Sequence, residues 1–176
     1  MKILFLILTF ILCASCAKPP ALPTSDIHFI SIGAVGGSPL FEVRFSSKTD
    51  MLRFFKVNTG EDQLGETLIC SLDKGADFAK RQDLARYVQG EITEIDNVDP
   101  GVGHLYSASV FAMQTKDGGV SSTFISTDEL LAMLKERDSV PCKVFTSAYS
   151  YGPYYSNLMN IPGSDFIRVI EQVRGL

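Results

Sequence analysis

Apolar and polar positions alternate most cleanly between His104 and Ser126, on either side of Asp117-Gly118. An Asp-Gly pair between two alternating runs predicts a two-residue type I′ hairpin turn. With that turn Lys116 opposes Gly119, Phe111 meets Phe124 and Val110 meets Ile125. One face then carries an aromatic pair and the other a β-branched pair. A turn one residue later, at Gly118-Gly119, would set Phe111 against Ser126 and lose both matches. The second strand runs into Ser126-Thr127-Asp128-Glu129, a capping box with Ser126 at the N-cap and Glu129 at N3. Ile125 and Leu130 flank that cap as a hydrophobic staple, so the unit reads strand, strand, helix.

The rest of the chain follows the same logic. Ile27 to Ile32 is a strand, and the glycine-rich turn after it, Gly33 to Gly37, leads into a second alternating run from Leu40 to Phe45. A dinucleotide-binding loop would need a helix there, so the pattern predicts a hairpin. Ser47-Lys48-Thr49-Asp50 is placed to cap a helix with Met51, Leu52, Phe54 and Phe55 inward. Glu66 to Leu72 and Tyr87 to Ile95 are strands, and Ala76 to Arg86 between them is ambiguous, with a short helix around Phe78 and Leu84 as its reading. Asp99-Pro100-Gly101 is a turn. The helix after the hairpin runs from Thr127 to Arg137 and buries Leu130, Leu131, Met133 and Leu134. Val140 to Ser147 is a strand, Tyr149 to Pro162 a loop, and Ser164 caps a last helix with Phe166, Ile167, Ile170 and Val173 inward and Gly175 at its end.

These elements predict an α+β domain: a largely antiparallel twisted sheet with about three helices, mostly on one face. Thr49-Asp50-x-Leu52 matches Thr127-Asp128-x-Leu130, which suggests a duplicated ββαβ unit related by a pseudo-twofold axis. The competing explanation is that helix caps look alike because capping chemistry is narrow.

The N-terminus changes the picture. Met1-Lys2 and an unbroken apolar run from Ile3 to Leu12 are too short to span a bilayer and read as a secretory signal. Cys13-Ala14-Ser15-Cys16-Ala17 resembles the lipobox of bacterial lipoproteins, with Ala14 and Ser15 at the small positions and Cys16 as the lipidated residue. Cys13 departs from the leucine usual there, and cleavage after Ala17 is the alternative. The resemblance covers only the leader. It implies residues 1–15 as signal peptide, 16–25 as a proline-rich tether and 26–176 as one domain. It also implies a bacterial periplasmic location, anchored to the outer membrane, with the membrane contacted through the lipid alone.

Export leaves Cys70 and Cys142 to pair, and in an oxidising compartment two cysteines in apolar strands are most simply a disulfide. Closing a loop of about 70 residues stabilises by up to about 4 kcal/mol. Two buried free thiols are the alternative. The chain carries 16 basic and 20 acidic residues without a basic cluster, which argues against nucleic acid as a partner.

Catalytic patterns are thin. His28 and His104 are the two histidines, and neither has Cys or His partners at zinc-ligand spacing. Gly-x-Ser-x-Gly is absent, and Ser71-Leu72-Asp73-Lys74 ends a strand where the Ser-x-x-Lys enzymes need a helix. Glu91, Glu94, Asp96 and Asp99 fail the calcium-loop spacing. No catalytic residue, metal ligand or cofactor is predicted.

One stretch reads as functional. Tyr149 to Asn157 holds Tyr149, Tyr151, Tyr154 and Tyr155, four of the six tyrosines, among Ser, Gly and Asn. That is the composition of binding paratopes, where rigid rings give contact area at low entropic cost. The alternative is a crossing loop that packs its own rings over the sheet. The expectation is a non-enzymatic envelope protein, of inhibitor or immunity-protein type, that binds another protein through Tyr149, Tyr151, Tyr154, Tyr155 and Asn157. The second expectation is a periplasmic glycan or small-solute binding module using the same rings.

Overall fold

A computed structural model describes residues 21–36, 40–75, 78, 84–96, 101, 103–116 and 120–175. In chain order the elements are β1 (Ile27–Ala34), β2 (Phe41–Ser47), α1 (Phe54–Thr59), β3 (Leu64–Ser71), β4 (Arg86–Ile95) and β5 (His104–Lys116), then β6 (Ser121–Phe124), α2 (Thr127–Lys135), β7 (Ser139–Ala148), β8 (Gly152–Tyr155), β9 (Met159–Pro162) and α3 (Gly163–Arg174). The fold is α+β, as the sequence predicts. All strands pair antiparallel in the order β1-β2-β5-β4-β3-β7-β8, with β6 beside β5 and β9 beside β7. The sheet curls until its ends approach: β1 packs near β9, and the Asn157 N–H donates to the Ser25 carbonyl at 2.8 Å.

Strand alternation decides which side chains meet the helices. Phe45, Leu68, Val88, Tyr106, Val110 and Val144 point inward, where Phe54 and Phe55 of α1, Leu130 and Leu134 of α2, and Phe166 and Ile170 of α3 join them in one cluster. All three helices therefore cover one face. A smaller cluster on the other face holds Ile69, Phe78 and Leu84, packed by Tyr87, Phe145 and Tyr155. Among the described residues, the side chains of both clusters run from Leu22 to Ile170.

Cys70 and Cys142 form the expected disulfide, directly opposite each other on β3 and β7 and fully buried. A twofold axis between them would send β5 beyond β7 to balance β1. Instead β1, β2 and β5 all lie on the β3 side. The strand order is thus not the one a duplication about the cysteines requires.

The central hairpin forms, but its register is the one that the sequence argument rejected. Met113 pairs with Phe124 and Lys116 with Ser121, two residues from the expected matches. The Asp117-Gly118 turn lies outside the described residues. A shift of two preserves which face each side chain occupies. Phe111 therefore still meets Phe124 as a diagonal neighbour, with ring centroids 5.5 Å apart and edge-on. The cap is as predicted: the Ser126 hydroxyl accepts the Glu129 N–H at 3.3 Å, with Ile125 and Leu130 buried beside it.

Other boundaries move for local reasons. Ser47 stays in β2, and α1 begins only at Phe54. Asp50 Oδ1 does accept the N–H groups of Leu52 and Arg53, but Met51 is held by side chains instead of by helix. The Tyr106 hydroxyl accepts its N–H at 2.8 Å, and Gln63 Nε2 donates to its carbonyl. Ser164 is not the last helix's cap: β9 runs straight into α3 through Pro162, and the Gly163 N–H donates to the Asp138 carbonyl. Most of the Ala76–Arg86 segment and the Asp99-Pro100 turn lie outside the described residues. So do residues 1–20 with the leader and Cys16.

Candidate functional site

The expected loop from Tyr149 to Pro162 is a correction. Residues 152–155 and 159–162 are strands β8 and β9, both laid along the same edge of β7. An edge strand imposes alternation, so it distributes the tyrosines over different environments.

Tyr154 faces the core. Its ring stacks on Phe54 at 3.9 Å between centroids, and its hydroxyl donates to the Pro23 carbonyl at 3.1 Å. Burial raises its pKa above the ordinary phenol value. Tyr155, on the other face, packs against Phe145 with centroids 5.3 Å apart. Tyr151 is half-buried and lies 5.9 Å from the Phe55 ring. Asn157 is spent on holding the chain before β1: besides its N–H bond to Ser25, its amide donates to Asp26 Oδ1 at 2.6 Å. Residues 22–25 of the expected tether thus lie against the domain, with Leu22 packed on the core.

Of the four tyrosines, Tyr149 alone stands out into solvent, 90% exposed at the β7–β8 turn, and Asn157 is exposed as well. The turn adjoins the end of α1 and the start of β3. The Ser150 N–H donates to Glu61 Oε2 at 3.4 Å, and the Ser147 hydroxyl donates to the Leu64 carbonyl at 3.2 Å. Those neighbouring segments expose Val57 (69%) and Leu64 (45%). Tyr149, Val57 and Leu64 are thus exposed on three segments that adjoin at one end of the sheet. The rim is mainly acidic. Asp62 pairs with Lys56 at 3.0 Å, and Glu66 accepts from Gln63 at 2.7 Å. Single exposed apolar residues need no explanation, but a cluster of them does. Sequence reading missed Val57, which follows the inward Phe54 and Phe55, and Leu64, which precedes the expected strand from Glu66 to Leu72.

The histidines are placed apart from this cluster. His104 Nδ1 lies 2.8 Å from Glu94 Oε1, with the imidazole parallel to the Tyr106 ring at 6.2 Å. His28 pairs across from Ser46 on β1. Among the described residues no group of three His, Cys, Asp or Glu side chains could hold a metal ion. On the open outer face, Thr67, Gln89, Glu91, Thr93, Ser109 and Phe111 line a depression of about 530 Å³.

No family model, no curated protein and no solved structure matches the chain.

Proposed function

We propose that this chain is a non-catalytic protein of the bacterial cell envelope that binds another protein, in the manner of an inhibitor or immunity protein. The contact is the end of the sheet formed by Tyr149, Val57 and Leu64. The observation that carries the reading is that cluster itself. An exposed tyrosine and two aliphatic side chains on three adjoining segments, ringed by polar groups, have the composition of an interface centre with its rim. Glu61, Asp62 and Glu66 around it favour a partner whose apolar pocket is bordered by cationic side chains. The lipobox-like leader supports an outer-membrane anchor through Cys16 as the only membrane contact.

Alanine at Tyr149, Val57 and Leu64, one position at a time, tests the reading by calorimetry against the partner captured from envelope extract. Tyr149→Ala is expected to cost about 2 kcal/mol or more of binding, the size of a central aromatic anchor. Its melting temperature is expected to stay unchanged. Binding that survives all three substitutions would remove the site from consideration.

The outer-face depression favours a second reading, a periplasmic glycan or small-solute binding module. Hydroxyls from Thr67, Thr93 and Ser109, the Gln89 amide, the Glu91 carboxylate and the Phe111 ring suit a polyhydroxylated ligand. Titration with oligosaccharide fragments would shift resonances at Gln89 and Phe111 if this reading holds.

A further inference from the structure

At the opposite end of the strands the sheet is interrupted. β2 pairs with β5 as far as Phe41 opposite Val110, and β6 takes up the same edge only at Phe124 opposite Met113. The gap beside Phe111 and Ala112 opens into an apolar groove of about 840 Å³. Leu40, Ile125, Leu130, Val169 and Val173 form its walls, and Arg174 stands at its rim. Phe124 projects from the lip of this groove, 74% exposed, with Val120 beside it at 87%. The exposed ring and the groove adjoin each other at this end of the sheet.

The backbone at this lip points the same way. The Ile125 N–H donates to the Ala112 carbonyl, so alternate residues Thr123 and Ser121 also turn toward β5. Ser122 and Phe124 then present their N–H and C=O groups outward. Among the described residues no strand pairs with that outer edge. β6 is short, but Ser121-Ser122-Thr123-Phe124 carries no lysine, proline or charge to turn a partner strand away.

We infer that β6 and the adjoining groove form an isologous interface between two copies of this chain. A twofold contact requires one surface to be complementary to itself. Here rotation sets Phe124 of each copy into the groove of the other, while the outward groups of the two β6 strands pair antiparallel. The rim fits the same operation, because it carries both signs: Arg174 forms an ion pair with Asp128. Under the twofold, each sign can meet its opposite. The surface lies at the other end of the strands from Tyr149, so a dimer leaves that cluster open.

Sedimentation equilibrium of residues 21–176 tests the inference. The wild-type domain is expected at twice its chain mass at tens of micromolar, and Phe124→Asp at the single mass, folded by circular dichroism and with a melting temperature that no longer depends on concentration. Ser122→Pro removes one outward N–H without touching the β5 ladder, and it is expected to give a monomer too. A wild-type monomer up to about 1 mM would overturn the inference. So would a dimer that persists in Phe124→Asp, or a monomer whose Phe124 resonances shift instead with an extended peptide or a detergent.

Discussion

Tyr154 lies face to face with Phe54, ring centroids 3.9 Å apart, and this one contact divides the tyrosine-rich stretch into packing and contact residues. Tyr154→Ala should remove a buried ring and cost about 3–5 kcal/mol of stability, as large core aromatics do. Tyr154→Phe keeps the stack and loses only the bond to the Pro23 carbonyl, about 1 kcal/mol. Urea unfolding of the two variants checks the difference. Equal costs would mean that the ring contributes little beyond its hydroxyl.

The disulfide ties β3 to β7 across 72 residues of sequence. Replacing both Cys70 and Cys142 by serine should lower stability by up to about 4 kcal/mol. Chemical unfolding under oxidising conditions measures it, and a double variant as stable as wild type would show that strand pairing alone closes the sheet.

Gly90 sits where β5 approaches β4 too closely to leave room for a side chain. A Cβ there would sit 2.1 Å from the Ser109 carbonyl oxygen, which is backbone and cannot swing aside. Gly90→Ala should therefore cost about 3 kcal/mol or more. A loss below about 1 kcal/mol would mean that the strands separate easily at this point, contrary to the close approach described.

Alkaline pH should unfold the domain progressively. Burial raises the Tyr106 and Tyr154 phenols above the ordinary value of 10.0, so both stay protonated in the fold after the unfolded chain has begun to ionise. Their contribution is complete below about pH 10 and declines as pH rises through the folded values. Tyr106→Phe abolishes one ionisation and should flatten that decline. At pH 7 it should cost about 1 kcal/mol, through the lost bond from the Met51 N–H. Stability curves at pH 7 and above pH 10 compare the two effects.

Local chemistry was legible in the sequence, and long-range placement was not. The Ser126 cap, the β1–β2 hairpin and the Cys70–Cys142 pair each follow from residues whose chemistry has few alternatives. The β5–β6 register slipped by two because that displacement keeps every side chain on its face, and alternation cannot distinguish the two pairings. The burial of Tyr154 depends on residues 131 positions away at Pro23. Nothing within Tyr149–Asn157 announces that the chain before β1 will cover it. The start of α1 was displaced for the same kind of reason, since Tyr106 captures the Met51 N–H from a strand 55 residues later. Of the predicted binding tyrosines, Tyr149 is the one whose exposure matches the role; Asn157 is exposed, but its amide is bonded to Asp26.

The central claim is that the Tyr149 end of the sheet binds a partner protein. Its most direct test is affinity capture from the source organism's envelope extract, using oxidised residues 21–176 as wild type, Tyr149→Asp and Phe124→Asp. The account predicts one protein held near stoichiometry by wild type and Phe124→Asp and released by Tyr149→Asp, with all three domains folded at the temperature of the capture. A protein held equally by all three, or none held by wild type, would contradict it.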